Sequence, residues 1–486
     1  MYSFLFYTIL EVFGLIFLIL SFSVIAIYLI LMALSALEMR DFLRKNRFAD
    51  YGDIVTSPIA PGVSILAPAY NEGQNIVQNV QSLLSLHYGK FEVILINDGS
   101  KDDTLQKLIE SFKMEKTSYA YHPEIETKAV RGIYRSKNMS YRRLTVIDKE
   151  NGGKADALNT GINIASLEIL ACIDVDCILS SESISRMVRP FMEETNKKVI
   201  AVGGVIGIAN NCDVQDGTVT KYRVPETTLG KFQVIEYLRA FLMGRMAWSR
   251  INGLMLISGA FGFFRKDLVR EVGGYFPKTV GEDMELIVRM RRFMDEKKIP
   301  YKVGFVPDPL CWTEVPETED VLSRQRNRWM RGTIETLQLH QALRLNPKYG
   351  ILGMLSYPFW SVFEKSAPIL ETAGIVYTAI LLVIGDFSTV YFVALLLMMY
   401  LLSLLVSSFS VLYEQIAFNR YKDKNDLRKL IWIIITEPFV IHPKVVFWGL
   451  MGHIDFIKGK GGWGSMIRTG FKKAEDRKNL AEQTTT

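Results

Sequence analysis

The sequence predicts an α/β domain with a mainly parallel sheet, embedded between helices that span or lie on a membrane. Between residues 62 and 312, strand-like apolar runs alternate with segments of helical spacing, which is typical of such a sheet. The 486-residue chain is 49% hydrophobic and 22% charged, and its longest apolar segments lie towards the two ends. Acidic residues follow several predicted strands, at the sheet edge where α/β domains present ligands.

The N-terminal segment, residues 1–38, is predicted to be a transmembrane helix. Residues 4–37 carry a single charge, Glu11, and about 20 helical residues suffice to cross a bilayer. A signal peptide would have a shorter apolar region preceded by basic residues. Basic residues instead follow this segment, at Arg40, Arg44, Lys45 and Arg47. This asymmetry predicts an external N-terminus and a cytoplasmic domain after the helix.

Residues 60–315 form the predicted catalytic domain. Strands are expected at residues 63–68, 91–96 and 144–147, and helical spacing of apolar residues follows each of the first two. Residues 113–143 are polar and basic, which predicts a loop near the membrane.

The chain after residue 315 is predicted to return to the membrane. Residues 316–366 are predicted to form amphipathic interfacial helices, and residues 367–457 are predicted to form transmembrane spans and re-entrant helices. Two spans are joined by a turn at Gly385-Asp386, and residues 430–450 are an apolar stretch interrupted by polar residues and prolines. We expect that stretch to be a broken re-entrant or interfacial hairpin, with a fourth span as the alternative. A basic cytoplasmic tail is predicted for residues 458–486.

Charge and cysteine content restrict the class of protein. The net charge of +6 comes with basic clusters beside the apolar segments, as expected at an anionic cytoplasmic membrane surface. No nucleic-acid-binding motif accompanies this charge, so nucleic acid is not an expected partner. The four cysteines, Cys172, Cys177, Cys212 and Cys311, lack zinc-site spacing and indicate a reduced, cytosolic domain.

Asp174 and Asp176 follow the most apolar predicted strand of the domain. Side chains two positions apart point to the same face of an extended chain, so the two carboxylates can converge. Mg²⁺ or Mn²⁺ is commonly held by one or two carboxylates together with substrate phosphates. The alternative is a solvated acidic pair at a strand end.

Three further motifs carry polar side chains suited to a nucleotide. Residues 68–72, which include Tyr70 and Glu72, and residues 97–100, which include Asp98, follow adjacent strands and should face one crevice. Asp98 can accept hydrogen bonds from a uracil or a ribose, although both motifs are also ordinary turn sequences. Lys154 follows a glycine pair at a helix start, where its ammonium group can face a diphosphate or only solvent.

Two motifs suggest the chemistry of transfer. Glu282 and Asp283 precede a helical run, so Asp283 is either a general base or only a favourable partner for the helix dipole. Residues 325–329 read Gln-Arg-Asn-Arg-Trp. Trp329 can stack on a sugar or anchor the helix at the membrane interface, and Arg328 can pair with a phosphate or a lipid headgroup.

Taken in order, these motifs resemble those of the membrane-integrated, processive family 2 glycosyltransferases. That group includes cellulose, chitin and hyaluronan synthases, and the resemblance is strongest to bacterial poly-N-acetylglucosamine synthases. It covers residues 62–331 and rests on residues 68–72, Asp98, residues 153–159, residues 174–176, Glu282-Asp283 and residues 325–329.

The resemblance implies a GT-A fold, a Rossmann-like α/β fold for nucleotide sugars, and inverting transfer from a UDP-sugar to a β-linked polysaccharide. It assigns the donor to Tyr70, Glu72, Asp98, Lys154 and Asp174. Asp174 and Asp176 would hold Mg²⁺ or Mn²⁺, and Asp283, beside Glu282, would be the catalytic base. The acceptor and diphosphate would contact Ser258, Gly259, Gln325, Arg326, Arg328 and Trp329.

The same resemblance implies the partners and the location. The expected partners are a UDP-sugar, a growing polysaccharide or lipid acceptor, the bilayer, and an accessory subunit for export. The expected location is a bacterial inner membrane with the catalytic domain facing the cytoplasm. Two departures concern the acceptor: Ser258-Gly259 replaces the Cys-Gly of cellulose synthases, and Gly281 replaces the usual Thr.

Two rival hypotheses remain. A non-processive transferase that glycosylates a lipid carrier would need the same nucleotide pocket but no Gln-x-x-Arg-Trp segment. A catalytically silent nucleotide-sugar sensor would be expected to have lost Asp176 or Asp283, and both are present.

Overall fold

A computed structural model describes residues 2–46, 51–215 and 217–460. A ten-stranded sheet with the order β3-β4-β5-β2-β1-β6-β11-β8-β12-β7 forms the centre of the domain, and β9 and β10 form a separate hairpin. The strands are β1 (Val63–Ala69), β2 (Phe91–Asp98), β3 (Met114–Thr117), β4 (Val130–Ser136), β5 (Leu144–Lys149), β6 (Ile169–Ile173), β7 (Ile178–Leu179), β8 (Lys198–Ile208), β9 (Asp213–Gln215), β10 (Thr218–Lys221), β11 (Phe261–Arg265) and β12 (Tyr301–Thr313).

Four neighbouring strands, β5-β2-β1-β6, are parallel and carry the predicted nucleotide motifs. Ala69 of β1 pairs in register with Asn97 of β2, and Asn97 pairs in register with Asp148 of β5. The turns that follow these strands therefore emerge side by side. The predicted crevice lies at this carboxyl edge because parallel strands with aligned registers end at the same level.

The prediction of a mainly parallel sheet is wrong, because the sheet is mixed. Strand β11 lies antiparallel between β6 and β8, and β3 and β4 are antiparallel strands at one edge. Residues 113–143, predicted to be a loop, supply those two edge strands. Strand β3 has one buried residue in four, so its polar sequence does not produce the apolar pattern of an inner strand.

Helices cover both faces of the sheet and continue into the apolar ends of the chain. Two hydrophobic cores, one on each side of the parallel strands, include Ile65 with Val93 and Leu66 with Ile94. The helices are α1 (Tyr2–Asn46), α2 (Tyr51–Thr56), α3 (Ile76–Leu84), α4 (Thr104–Phe112), α5 (Lys154–Ile164), α6 (Ser183–Met192), α7 (Thr228–Leu238), α8 (Met246–Arg250), α9 (Lys266–Glu271), α10 (Glu282–Glu296), α11 (Glu319–Leu339), α12 (Tyr357–Phe359), α13 (Ala367–Ile384), α14 (Thr389–Ala417), α15 (Lys424–Val440) and α16 (His442–Ile457).

Within the part of the chain that the structure describes, three helices are long and apolar enough to cross a membrane: α1 over Tyr7–Asn46, α13 and α14. Their most apolar windows have mean hydropathies of 2.9, 1.9 and 2.4, and few of their side chains are buried inside the protein. Helices α13 and α14 are joined by a turn in which Gly385 has φ +76, a left-handed conformation that glycine adopts without strain.

Helices α15 and α16 pass the same test only together, and a 52° bend separates them. A pair bent in this way is either a broken span or a re-entrant loop, so the expectation for residues 430–450 stays a prediction. Ion pairs and hydrogen bonds tie this pair to the domain along its length: Lys429 to Glu226, Lys444 to Glu319, and Asp455 to Asn327. All of the predicted basic tail except residues 458–460 lies outside the described residues.

Candidate active site

One cavity of about 3320 Å³ opens at the carboxyl edge of the parallel strands and extends between the membrane helices. All of the residues predicted to bind substrate, metal or acceptor lie on its wall. They are Tyr70, Glu72, Asp98, Lys154, Asp174, Asp176, Ser258, Gly259, Glu282, Asp283, Gln325, Arg326, Arg328 and Trp329. Because a cavity of this size touches many residues, the direct contacts among these side chains define the site more closely.

Asp174 and Asp176 lie in a turn between β6 and β7, closed by a 3.0 Å hydrogen bond from the Cys177 amide to the Asp174 carbonyl. The expectation that they share one face of an extended chain is therefore wrong. All three residues of the turn, Asp174, Val175 and Asp176, nevertheless line the same cavity. The Asp174 side chain is 25% exposed, and one of its oxygens pairs with Nζ of Lys154.

Lys154, Gly259 and Asp283 form a continuous chain of hydrogen bonds. Lys154 Nζ donates to the Gly259 carbonyl over 3.1 Å, and the Gly259 amide donates to Oδ2 of Asp283 over 2.9 Å. Burial alone would lower the pKa of Lys154, but the carboxylates of Asp174, Glu282 and Asp283 outweigh it and raise that pKa. Lys154 is therefore a permanent cation at neutral pH.

Glu282, next to Asp283 at the start of α10, is almost completely buried. Burial and the neighbouring Asp283 raise the pKa of Glu282 to about 7, while Lys154 and Arg328 act in the opposite direction. A buried carboxyl group with a raised pKa that faces a cavity is a frequent feature of catalytic centres.

The Asp98 carboxylate accepts hydrogen bonds from other residues of the protein. Its Oδ1 accepts hydrogen bonds from Lys149 Nζ at 2.7 Å and from the Gly152 amide at 3.0 Å, and its Oδ2 accepts one from the Gly153 amide at 2.8 Å. Lys149 also pairs with Asp156 at 2.6 Å. Asp98 thereby fixes the glycine loop that precedes Lys154.

Lys149 is a residue that the sequence analysis missed. Its side chain is fully buried between Asp98 and Asp156, so it neutralises two carboxylates beneath the nucleotide side of the cavity. Asp156, a member of the motif 153–159, also accepts hydrogen bonds from the Lys128 amide. A lysine at the end of a strand pattern is the only sequence signal, and it does not reveal a buried partner 51 positions away.

Tyr70 and Glu72 occupy the turn after β1. Tyr70 is 46% exposed at the cavity, and Asn71 has φ 56, which turns the chain sharply. The Glu72 amide donates to Oγ1 of Thr104 over 2.9 Å, which ties this turn to the start of α4. These contacts hold the turn beside Asp98.

The Gln-Arg-Asn-Arg-Trp segment lies in the first half of α11. The Trp329 ring is 42% exposed, and the guanidinium of Arg326 stacks 4.1 Å from its centroid. Arg326 in turn pairs with Glu236 of α7, and Arg328 lies close enough to Glu282 to affect its pKa. Arg326 therefore supports Trp329 from one side, while Arg328 lies nearer to the acidic pair.

A close contact between Gly281 and Gly332 brings α11 next to Glu282 and Asp283. A Cβ atom on Gly281 would lie 2.8 Å from the Cα of Gly332, so the two helices meet backbone to backbone. Glu335 of α11 accepts hydrogen bonds from the Thr279 hydroxyl at 2.7 Å and from the Val280 amide at 2.8 Å. The glycine that replaces the usual Thr is thus required by this close contact, and Gly332 and Glu335 are further residues that the sequence analysis missed.

The donor set at Asp174 and Asp176 fits a hard divalent cation completed by ligand oxygens. Over residues 2–46, 51–215 and 217–460, no group of three or more His, Cys, Asp or Glu is placed to hold a metal by itself. Two carboxylates that face a cavity match the few protein ligands that Mg²⁺ usually takes, the remainder coming from phosphates and water. Lys154, already paired with Asp174, would share that carboxylate with the cation.

The fold and the site together define a glycosyltransferase of the GT-A type, in which acidic turns at the carboxyl edge of an α/β sheet face a nucleotide-sugar cavity. The model of glycosyl transferase family group 2 matches residues 169–419, more than half of the chain, and that of glycosyl transferase family 2 matches residues 64–272. The chain belongs to glycosyl transferase family group 2. The family expectation drawn from the motifs is confirmed.

Curated relatives with similar sequences are poly-beta-1,6-N-acetyl-D-glucosamine synthases. The enzyme of Staphylococcus epidermidis is 31% identical over 277 residues, which is 57% of this chain and 55% of that protein. The enzyme of Staphylococcus aureus strain COL is 28% identical over 276 residues, with the same coverage. The match thus spans about half the length of each relative.

Two solved structures show similarity to this chain. A mannosyltransferase from Pyrobaculum calidifontis, solved with GDP-Man and Mn²⁺, has a TM-score of 0.49 and 16% identity and covers 89% of this chain and 99% of its own. Residues 1–349 of TarS from S. aureus have a TM-score of 0.38 and 14% identity, covering 78% and 91%.

Proposed function

We propose that the protein is an inverting, processive glycosyltransferase that polymerises a sugar from a UDP-sugar donor into a β-linked polysaccharide and passes the product between its own membrane helices. The observation that carries this proposal is that a single cavity joins the acidic site to the membrane helices. Asp98, Asp174 and Trp329 line this cavity together with Tyr377 of α13 and Tyr391 of α14.

In this mechanism the donor lies over the carboxyl edge of the sheet. Asp98 orders the Gly152-Gly153 loop and so positions Lys154, which meets the diphosphate as a compact cation. Tyr70 and Glu72, in the turn beside Asp98, contact the nucleoside. Arg328 adds a second cation near the departing phosphate, so that the negative charge formed there is neutralised.

Asp283 then takes the proton from the acceptor hydroxyl. The hydroxyl oxygen bonds to the anomeric carbon from the face opposite the diphosphate, and the bond from that carbon to the phosphate oxygen breaks with its electron pair leaving on UDP. The configuration at the anomeric carbon is thereby inverted. Hydrogen bonds from the amides of Gly259 and Met284 hold the two oxygens of Asp283 in position for this transfer.

Asp174 and Asp176 would hold a divalent cation, Mg²⁺ or Mn²⁺. When bound, that cation supplies Lewis-acid stabilisation of the diphosphate leaving group. The support within this chain is that both carboxylates reach the cavity wall beside Lys154.

The orientation we propose puts the catalytic domain in the cytoplasm of a bacterial cell, at the inner membrane. Basic clusters follow α1 and precede α15, as expected on the cytoplasmic side. The contacts of α15 and α16 with the domain along their length support an interfacial position for that pair. An accessory subunit for export is part of this proposal.

The decisive experiment is a donor panel. Purified protein in lipid nanodiscs is given UDP-linked sugars with Mg²⁺ or Mn²⁺, and UDP release and product mass are measured. UDP-N-acetylglucosamine is the first donor to test, because the curated relatives are named for a polymer of that sugar. We expect UDP release with a product many sugars long.

The matched control is Asp283→Asn, which should bind donor but lose transfer by about 10²–10⁴-fold. A product with one sugar on a lipid carrier would replace our proposal by the non-processive alternative. Donor binding with no UDP release from any nucleotide sugar would favour a sensor.

A further inference from the structure

Arg245 lies where the catalytic domain meets the membrane helices. It ends a π-helical segment, Arg239–Arg245, that continues α7 into α8. Met243 of this segment packs against Leu402 and Val406 of α14, while Arg245 itself lines the cavity that holds Asp283. Single π-helical turns within α-helices are frequent at functional sites.

The Arg245 side chain has no charged partner among the residues that the structure describes. Its Nη1 atom is buried and has no hydrogen-bond partner there, and its recorded contact is with the Phe241 ring, 4.1 Å from the guanidinium carbon. Burial lowers the pKa of Arg245 to about 10, with Asp283 acting in the opposite direction, so the group stays charged at neutral pH.

The other arginines of the same helical stretch are paired. Arg239 makes a two-pronged ion pair with Glu437, and Arg250 pairs with both Glu38 and Asp41. A half-buried guanidinium whose buried Nη1 atom has no such partner is unfavourable unless a group in the cavity supplies oxygen atoms. The difference between Arg245 and these neighbours therefore points to a ligand in the cavity.

The charges around Arg245 indicate which ligand this is. Asp283 acts on both Lys154 and Arg245, but Lys154 is also paired with Asp174, where the diphosphate is proposed to bind, whereas Asp283 is the one carboxylate among the described residues that acts on Arg245. A phosphate placed between Arg245 and Asp283 would be repelled by that carboxylate. The neutral oxygen atoms of a sugar would not be repelled by the Asp283 carboxylate.

We propose that Arg245 is an acceptor-binding residue, whose guanidinium donates hydrogen bonds to hydroxyl or amide carbonyl oxygens of the sugar that Asp283 activates. This inference rests on the proposed function, since it needs a saccharide acceptor. The hydrogen bonds position the acceptor between Asp283 and the membrane part of the cavity. The Phe241 ring packs against one face of the Arg245 guanidinium group.

The test measures donor and acceptor kinetics separately. Wild type, Arg245→Met and Arg245→Lys are assayed with UDP-N-acetylglucosamine and a β-1,6-linked N-acetylglucosamine oligosaccharide, each varied in turn. Arg292→Met, which removes a partly exposed arginine paired with Glu296 on α10, is the matched control. Release of UDP without acceptor is recorded as transfer to water.

We expect Arg245→Met to raise the acceptor KM by about tenfold to a hundredfold, as for the loss of a hydrogen bond from a charged group, with the donor KM within about twofold. Transfer to water should persist. Arg245→Lys, which keeps the charge, should recover part of the acceptor affinity. If Arg245→Met fails to fold, the acceptor KM of Arg245→Lys still tests the proposal.

A raised donor KM with an unchanged acceptor KM would overturn the inference and assign Arg245 to the diphosphate. An unchanged KM for both substrates would make Arg245 a structural residue. An effect seen only with a polyprenyl phosphate acceptor would replace the sugar by a phosphate ligand. Absence of transfer by wild type with every donor would instead count against the proposed function.

Discussion

The backbone amide of Gly259 donates a hydrogen bond to Oδ2 of Asp283 over 2.9 Å. The carbonyl of the same glycine accepts from Lys154, so one peptide segment joins the proposed base to the proposed diphosphate cation. A Cβ atom at Gly259 would lie 3.2 Å from Lys154 Nζ and 3.3 Å from Asp283 Oδ2. The absence of a side chain therefore lets the two groups approach each other.

Replacing Gly259 tests this arrangement. We expect Gly259→Ala to lower kcat by about 10²-fold, because a small displacement of a reacting group has an effect of that order. Donor affinity measured by calorimetry should change less. Gly304→Ala is the control, since a Cβ atom there would make an ordinary 3.4 Å contact with Val202. Equal kcat values for the two variants would contradict the proposed role.

We expect the activity to depend on a divalent cation held by Asp174 and Asp176. Asp176→Asn should lose UDP release with either Mg²⁺ or Mn²⁺, and wild type should lose it in a chelator and regain it when either cation is restored. Asp103→Asn, which changes an exposed carboxylate paired with Lys107, serves as the control. Near-normal turnover by Asp176→Asn would remove this residue from the metal site.

The buried Glu282 should make stability depend on pH. Since its pKa is raised from 4.5 to about 7, the folded protein holds a proton there that the unfolded chain has released. This contribution is complete below pH 4.5 and is lost as the pH rises to about 7, with an upper limit of about 3 kcal/mol.

The measurement is the melting temperature of substrate-free protein across this pH range. Glu282→Gln, which does not titrate, should gain stability relative to wild type as the pH rises, whereas Glu110→Gln on the surface should follow wild type. A constant difference between Glu282→Gln and wild type would show that Glu282 does not titrate in this window.

Trp329 is expected to control product length. Its ring is supported by Arg326 and exposes a flat apolar surface to the cavity, on which a sugar can stack. Trp329→Ala should bind donor normally but yield short oligosaccharides or hydrolysed donor, as measured by mass spectrometry. Trp432→Ala, at an exposed position of α15, is the matched control. Product of wild-type length from Trp329→Ala would leave Trp329 with only an anchoring role.

The proposed orientation is testable by cysteine labelling in intact cells. An impermeant reagent should label Ser388→Cys, beside the turn between α13 and α14, and should not label Lys460→Cys, after α16. The four native cysteines are buried, so they give little background. Labelling of Lys460→Cys from outside would mean that α15 and α16 together cross the membrane.

Strands β1, β2, β5 and β6 and the helices α1, α13 and α14 could be predicted because their signals are local. Strands β1, β2 and β5 are short, nearly continuous apolar runs, and α1 and α14 are apolar segments long enough to cross a bilayer. The polar edge strand β3 and the antiparallel β11 could not be predicted in this way, because strand direction and edge position depend on which partner a strand meets.

The sequence by itself determined the order of the motifs and the family to which they belong, since each motif is a short run of residues with a recognisable spacing. Only the tertiary structure decided that Asp98 accepts hydrogen bonds from Lys149 and the glycine loop, that Gly281 meets Gly332, and that Arg245 has no ion-pair partner among the described residues. These features join or separate groups on different elements, some more than 50 positions apart. Whether a buried charge is paired depends on contacts between those elements, and no local pattern of residues records such contacts.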